Sequence, residues 1–209
     1  MVIFKVLSAL LSYPSAEMRL ALPEMAEIVK TSRLLDPLRR DDLLALIEEL
    51  GDGDLLTVEE RYVDLFDRGR ALCLHLFEHL HGESRDRGEA MVELKQLYAC
   101  AGFEMATREL PDYLPVVLEY LSCRDLAEAR DMLADCGHIL ATIGRSLLAR
   151  RSRYAAVVQA LLVIGGQNPI DSDKVAAVDE PLENLDREWA EQPAFGDVST
   201  YSAARAPTG

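Results

Sequence analysis

Turn-forming residues cut this chain into segments of helical length, and the segments between the cuts are built from helix formers. Leu, Ala, Glu and Arg dominate and runs of β-branched residues are scarce, which favours helix over strand throughout. A first helix is expected over residues 2–12, because Pro14 pushes the residue before it out of helical geometry. A second follows over about 15–30, and Asp36-Pro37 opens a third over about 38–50, closed by "GDGD". Asp54 or Thr57 can cap a fourth, about 55–67, which ends at Gly69. One helix over about 70–81 is then stopped by Gly82, and Ser84 can cap the next, about 85–101, with Gly102 as its stop. Pro111 starts a helix over about 111–122, Asp125 opens a long stretch to about 150, and Tyr154–Ile164 is the last, before Gly165-Gly166. The expected fold is all-α: a single compact domain of eight to nine helices over residues 1–170.

From about Asp171 the pattern changes. Residues 171–209 hold nine acids against three bases, so −6 of the formal −14 lies there, and "QPAFGDVSTYSAARAPTG" has neither a helical nor a strand period. This segment is expected to be a mostly disordered acidic tail, with a short helix near Glu183–Glu191 and the lone Trp189 as a solvated side chain. A chain this acidic repels nucleic acid and anionic membrane surfaces and attracts basic peptides. No run approaches the roughly 20 apolar residues that span a bilayer. The opening "MVIFKVLSALLSYPSAEM" reads as an amphipathic helix rather than a signal peptide, with Lys5 inside its apolar part and Tyr13-Pro14 as a helix stop. Cys73, Cys100, Cys123 and Cys136 form no C-x-x-C pair. Free thiols in a reducing compartment are expected, and so a cytoplasmic protein.

The stretch "HLFEHLH", residues 75–81, carries His75-x-x-Glu78-His79, the spacing of inverted zinc peptidases. On a helix over 70–82, Cys73, Leu76, Phe77 and Leu80 share one face, with His75, Glu78 and His79 opposite. His75 and His79 would then stand at i, i+4 and reach one metal ion, so a zinc-dependent hydrolase is the alternative function. A catalytic zinc needs a third protein ligand, and none comes with diagnostic spacing. The competing reading is a polar helix face whose histidines bond to neighbouring carboxylates. The basic run Arg145, Arg150, Arg151 and Arg153 can bind a phosphate-bearing ligand, although a charged surface beside a helix C-terminus is the favoured reading. There is no G-x-S-x-G, P-loop or G-x-G-x-x-G.

The run from Tyr62 to Ser122, "YVDLFDRGRALCLHLFEHLHGESRDRGEAMVELKQLYACAGFEMATRELPDYLPVVLEYLS", and the N-terminal "LLSYPS" resemble the NarJ-type assembly chaperones of respiratory nitrate reductase. These are also called the nitrate reductase delta subunit and belong with the wider TorD/DmsD-type redox enzyme maturation chaperones. In that family the His-x-x-Glu-His segment overlaps a longer signature, "LFEHxHGESRDRG", and the family is not known for peptidase chemistry. The resemblance implies an all-helical cytoplasmic chaperone, not an enzyme, with no cofactor of its own. It implies a partner, the catalytic alpha subunit of nitrate reductase, gripped mainly at its N-terminal segment while the molybdenum cofactor is inserted and membrane docking is delayed. The chaperone is then absent from the finished enzyme.

The resemblance also nominates peptide-binding residues. An aromatic-x-x-Leu-Phe motif of the wider family reads here as Tyr62, Leu65 and Phe66, with Arg70 following. A Glu-Ser pair reads as Glu83 and Ser84, without the usual prolines before it. A Glu-Pro-x-Asp-His motif reads as Glu109-Leu110-Pro111-Asp112-Tyr113, with Tyr for His and the proline moved by one, and contributes Asp112 and Tyr113. These side chains are expected to line one groove with an acidic rim for a basic helical peptide. Loss of Tyr62 or Phe66 is expected to weaken binding while the fold survives.

Overall fold

The computed structural model describes residues 1–81, 85–105 and 109–176. Ten α-helices lie among them: α1 (Val2–Leu11), α2 (Ala16–Thr31), α3 (Pro37–Gly51), α4 (Leu55–Phe66), α5 (Leu76–His81), α6 (Arg85–Cys100), α7 (Leu114–Ser122), α8 (Leu126–Asp135), α9 (Gly137–Ala149) and α10 (Ala155–Ile164). Short 3₁₀ turns occupy Arg70–Leu72 and Ser172–Lys174. The described residues form no strand, only an isolated antiparallel bridge between His75 and Tyr113. The expected all-α class is the one found.

Local chemistry explains most of the boundaries. Ser15, Asp36 and Asp125 each accept a hydrogen bond from the amide three residues on, capping α2, α3 and α8. Pro37 takes the first position of α3, where no amide donor is needed. The centre is α10, "AAVVQALLVI", buried at every position except Val163. A helix apolar all round has to lie inside the protein, and α1, α3, α8 and α9 pack around it. α9 comes close because Gly144 carries no side chain: a Cβ there would stand 2.5 Å from Ile170 Cδ1 and 3.1 Å from Val158 Cγ1. α1 in turn lies against α7, where the buried Ser8 hydroxyl donates to the Pro115 carbonyl at 2.8 Å.

Three expected helices differ. The stretch 125–150 is two helices, α8 and α9, because the chain turns at Cys136 and the Ala134 carbonyl at the end of α8 accepts instead from the Gln167 amide at 3.2 Å. The helix expected from Pro111 begins only at Leu114, and the helix expected over 70–81 is a 3₁₀ turn, an extended segment and the six-residue α5. These two changes have one cause. Leu76 donates its amide to the Asp112 carbonyl (3.0 Å) and Leu114 donates to the Leu74 carbonyl (2.8 Å), so the two segments satisfy each other's backbone groups across the fold. Glu83, Ser84, Trp189 and the short helix expected near Glu183–Glu191 lie outside the described residues, as does the tail from 177 onward.

α9 ends in a Schellman motif with an unusual occupant. The Arg151 amide donates to the Leu148 carbonyl (2.9 Å) and the Ser152 amide to the Leu147 carbonyl (3.0 Å). This places Arg151 in the left-handed position at φ 53°, where glycine is the usual residue. Arg151→Gly is therefore expected to stabilise the protein by about 1 kcal/mol, raising Tm by roughly 2–4 °C. An unchanged or lower Tm on thermal unfolding would contradict that.

Candidate functional site

α4 carries Tyr62 and Phe66 one turn apart on its inner face. Both are core residues, 3% and 6% exposed. Their rings lie 4.8 Å apart between centroids, and Tyr154, from the start of α10, meets Phe66 edge-on at 5.0 Å and Tyr62 at 6.1 Å. The Tyr62 hydroxyl donates to the Leu11 carbonyl at 2.8 Å and lies 3.2 Å from the Tyr113 hydroxyl. Burial, with Tyr113 beside it, drives the Tyr62 pKa far above its ordinary value, so the phenol remains a hydrogen-bond donor.

The outward end of this cluster is Tyr13. It is 51% exposed and stands edge-on against Tyr62 at 5.6 Å. Burial of its ring edge, then Glu59 and Asp67, raise its pKa. Tyr113, half-buried, is shifted the same way by burial, and then by Glu109 and Asp67, against the Tyr62 hydrogen bond, which acts to lower it. Two tyrosines over a buried aromatic floor therefore sit among three carboxylates, which suits a peptide that is apolar along one face and positively charged.

Behind Tyr113 the extended segment 73–75 is held by a polar network. Asp112 has no exposed surface. Its carboxylate accepts from the Phe77 amide at 3.1 Å and from His75 Nδ1 at 3.2 Å. His75 also lies against the Tyr113 ring, 5.2 Å between centroids. His79 Nε2 donates to the Cys73 carbonyl at 2.8 Å. Glu78 accepts from the Cys73 thiol at 3.2 Å and from Arg70 Nε at 3.3 Å, with Arg87 at 3.7 Å. Burial pushes the Cys73 thiol up to about 11, so it stays protonated and donates.

These contacts correct the zinc geometry. His75 and Cys73 are not on a helix, so His75 and His79 are not successive-turn neighbours and Cys73 does not share a helix face with Leu76 and Leu80. Each histidine already bonds to an oxygen. Among the described residues no three of His, Cys, Asp and Glu come together to hold a metal ion.

The nominated peptide residues divide. Tyr62, Phe66 and Tyr113 meet in one cluster, and Leu65 is partly buried against the core beside it. Asp112 lies beneath, fully enclosed, and faces no solvent groove. Arg70 turns to Glu78 instead. Tyr13 was read in the sequence only as a helix stop. The signal that singles it out is its place in "LLSYPS", where Pro14 ends α1 and leaves the next aromatic ring at the surface.

Residues 16–159 match the protein family described as "Nitrate reductase delta subunit". The chain belongs to that family. It is 42% identical over 193 residues to the nitrate reductase molybdenum cofactor assembly chaperone NarJ of Escherichia coli K12, covering 90% of this chain and 81% of that protein. It is 38% identical over 170 residues to the probable chaperone NarW of the same organism, covering 73% of each. In fold, this nitrate reductase delta subunit family member is similar to a crystal structure of a candidate redox enzyme maturation protein from Archaeoglobus fulgidus. That similarity has a TM-score of 0.54 at 19% identity and covers 76% of this chain and 88% of that one. No helix among the described residues is long and apolar enough to cross a membrane.

Proposed function

We propose that this protein is a dedicated assembly chaperone of nitrate reductase. It binds the N-terminal region of the apo catalytic alpha subunit in the cytoplasm, supports insertion of the molybdenum cofactor into that subunit, and lets go before membrane docking. It catalyses no bond change itself. The observation that carries this reading is the 42% identity, across 90% of the chain, to a relative named as such a chaperone. In the same proposal the peptide rests on Tyr13 and Tyr113, with Glu59, Asp67 and Glu109 as the acidic rim, a reading supported by the exposed Tyr13 ring stacked on the buried aromatic cluster. In this reading the buried Tyr62, Phe66 and Asp112 shape the surface from below and Leu65 lies beside it, while Arg70, Glu83 and Ser84 belong to the proposed peptide-binding set through the family resemblance alone.

Calorimetric titration of the full chain with a synthetic peptide of the alpha-subunit N-terminus tests both the function and the place. Saturable binding near one-to-one is expected. Tyr13→Ala should weaken it roughly tenfold, as for an aromatic anchor at an interface, with an unchanged circular dichroism spectrum because the ring is half outside the core. Absence of binding to the unaltered protein would remove the peptide reading, and full affinity in Tyr13→Ala would remove the site.

A further inference from the structure

The arginine run at the end of α9 takes no part in the proposed peptide site, although Arg153 directly precedes Tyr154 of the aromatic cluster. A cavity of about 310 Å³ opens beside it at the start of α10, bordered by Arg39, Asp42, Ser152, Arg153, Gln159 and Ser172. A second cavity of about 580 Å³ shares Leu148, Ser152, Arg153 and Ser172 with the first and adds Arg151 and Glu49. Cavities of this size are typical of small-molecule sites. From this arrangement the geometry points to a binding site for the diphosphate group of a small molecule.

Arg39 is the first reason. It is only 7% exposed, it pairs with Asp42 at 3.2 Å, and its Nε, like that of Arg40, is buried without a hydrogen-bond partner among the described residues. A mostly buried guanidinium that borders a cavity, its carboxylate partner partly in solvent, favours an anion there. Arg151 is the second. It makes no ion pair among the described residues, and it occupies a left-handed backbone position that glycine would fill with less strain. A strained residue of this kind, kept beside a cavity, is a pointer to function. Arg153 is held by Glu49 at 2.9 Å, but that pair is exposed on both sides and gives way readily to a doubly charged ligand. The rim is built rather than loose: Gln159 donates to the Ile170 carbonyl (2.9 Å) and accepts from the Ile170 amide (2.8 Å), fixing the segment that brings Ser172 over the opening. Three arginines against two carboxylates leave this recess locally positive on a chain of net charge −14. A small anion is favoured over an acidic protein segment because Arg39 sits inside the recess, out of reach of a flat partner.

The test is calorimetry on the full chain at low chloride, without phosphate buffer, using inorganic pyrophosphate and, separately, adenosine diphosphate. Saturable one-to-one binding of pyrophosphate that weakens with added salt is expected. Arg151→Gly should weaken it roughly tenfold while the fold becomes more stable, so lost binding cannot be blamed on unfolding. Arg153→Gln should act the same way, and Glu49→Gln should tighten binding several-fold by freeing Arg153. Tighter binding of adenosine diphosphate than of pyrophosphate assigns the apolar wall at Leu38, Leu148 and Ile170 to an organic moiety, and equal binding assigns recognition to the diphosphate alone; either supports the site. No saturable binding of either probe overturns it, as does binding untouched by Arg151→Gly and Arg153→Gln. Binding of polyglutamate in place of pyrophosphate also overturns it. Affinity for the alpha-subunit peptide should be the same in both arginine variants, so the two readings stand or fall separately.

Discussion

Replacing Tyr62 and Phe66 together by alanine is expected to unfold the protein rather than to empty a binding site in a surviving fold. Each ring is core, 3% and 6% exposed, and an aromatic-to-alanine change in a core costs about 3–5 kcal/mol. The two rings touch, so the costs do not simply add. Even so, the sum approaches the whole stability of a typical domain, about 5–15 kcal/mol. Loss of the Tyr62 hydroxyl also strips the buried Leu11 carbonyl of its 2.8 Å donor. Denaturant unfolding followed by circular dichroism should show no cooperative native baseline for the double variant. Tyr62→Phe, which keeps the ring, should lose only about 1–2 kcal/mol. A double variant that unfolds cooperatively within about 2 kcal/mol of the unaltered protein would mean that the cluster is not the structural floor described above. Peptide affinity measured on that variant would report unfolding, so Tyr13 is the residue at which binding can be separated from stability.

Those same residues show what the sequence can and cannot disclose. Helix class and most boundaries were readable because they depend on neighbours along the chain: Asp36-Pro37 caps α3, Asp125 caps α8, and Gly165-Gly166 ends α10. The aromatic-x-x-Leu-Phe motif was readable as a motif, but its spacing does not say which face of α4 is turned inward. Tyr62 and Phe66 at i, i+4 suit a core stripe and a surface anchor equally well. The region 70–81 was misread for a different reason. Its local propensity is helical throughout, and what overrides it is Asp112, some 35 residues away, whose backbone and side chain draw Leu76 and Phe77 into another arrangement. Periodicity carries no information about a partner that distant. Tyr13 was missed because its value lies in what it stacks on.

Asp112→Ala is the second large effect expected, and it should be local before it is global. The carboxylate accepts the Phe77 amide at 3.1 Å, which makes it the N-terminal cap of α5, supplied from elsewhere in the chain. α5 has six residues, too few to hold as a helix without outside help. Removing the carboxylate also leaves His75 Nδ1 without its buried acceptor. Two part-buried donors left without their acceptor, the His75 ring being a quarter exposed, cost about 2–4 kcal/mol together. Asp112→Asn keeps one acceptor oxygen for the Phe77 amide, and should cost about 1 kcal/mol. Native-state hydrogen exchange separates the local effect from the global one: the amides of Leu76, Phe77 and Leu114 should lose protection well beyond the core amides of α10. Equal loss at every amide would mean that Asp112 supports the whole fold and not this corner of it, and protection unchanged at Phe77 would mean that the cap is not made. The expected pattern also fixes what Asp112 would do for the proposed peptide surface. It touches nothing outside the protein, yet it holds the 73–77 segment whose bridge to Tyr113 keeps that residue against the Tyr62 hydroxyl. The alanine variant should therefore weaken peptide binding through a displaced Tyr113, and a Tyr113→Ala change made on top of it should add little.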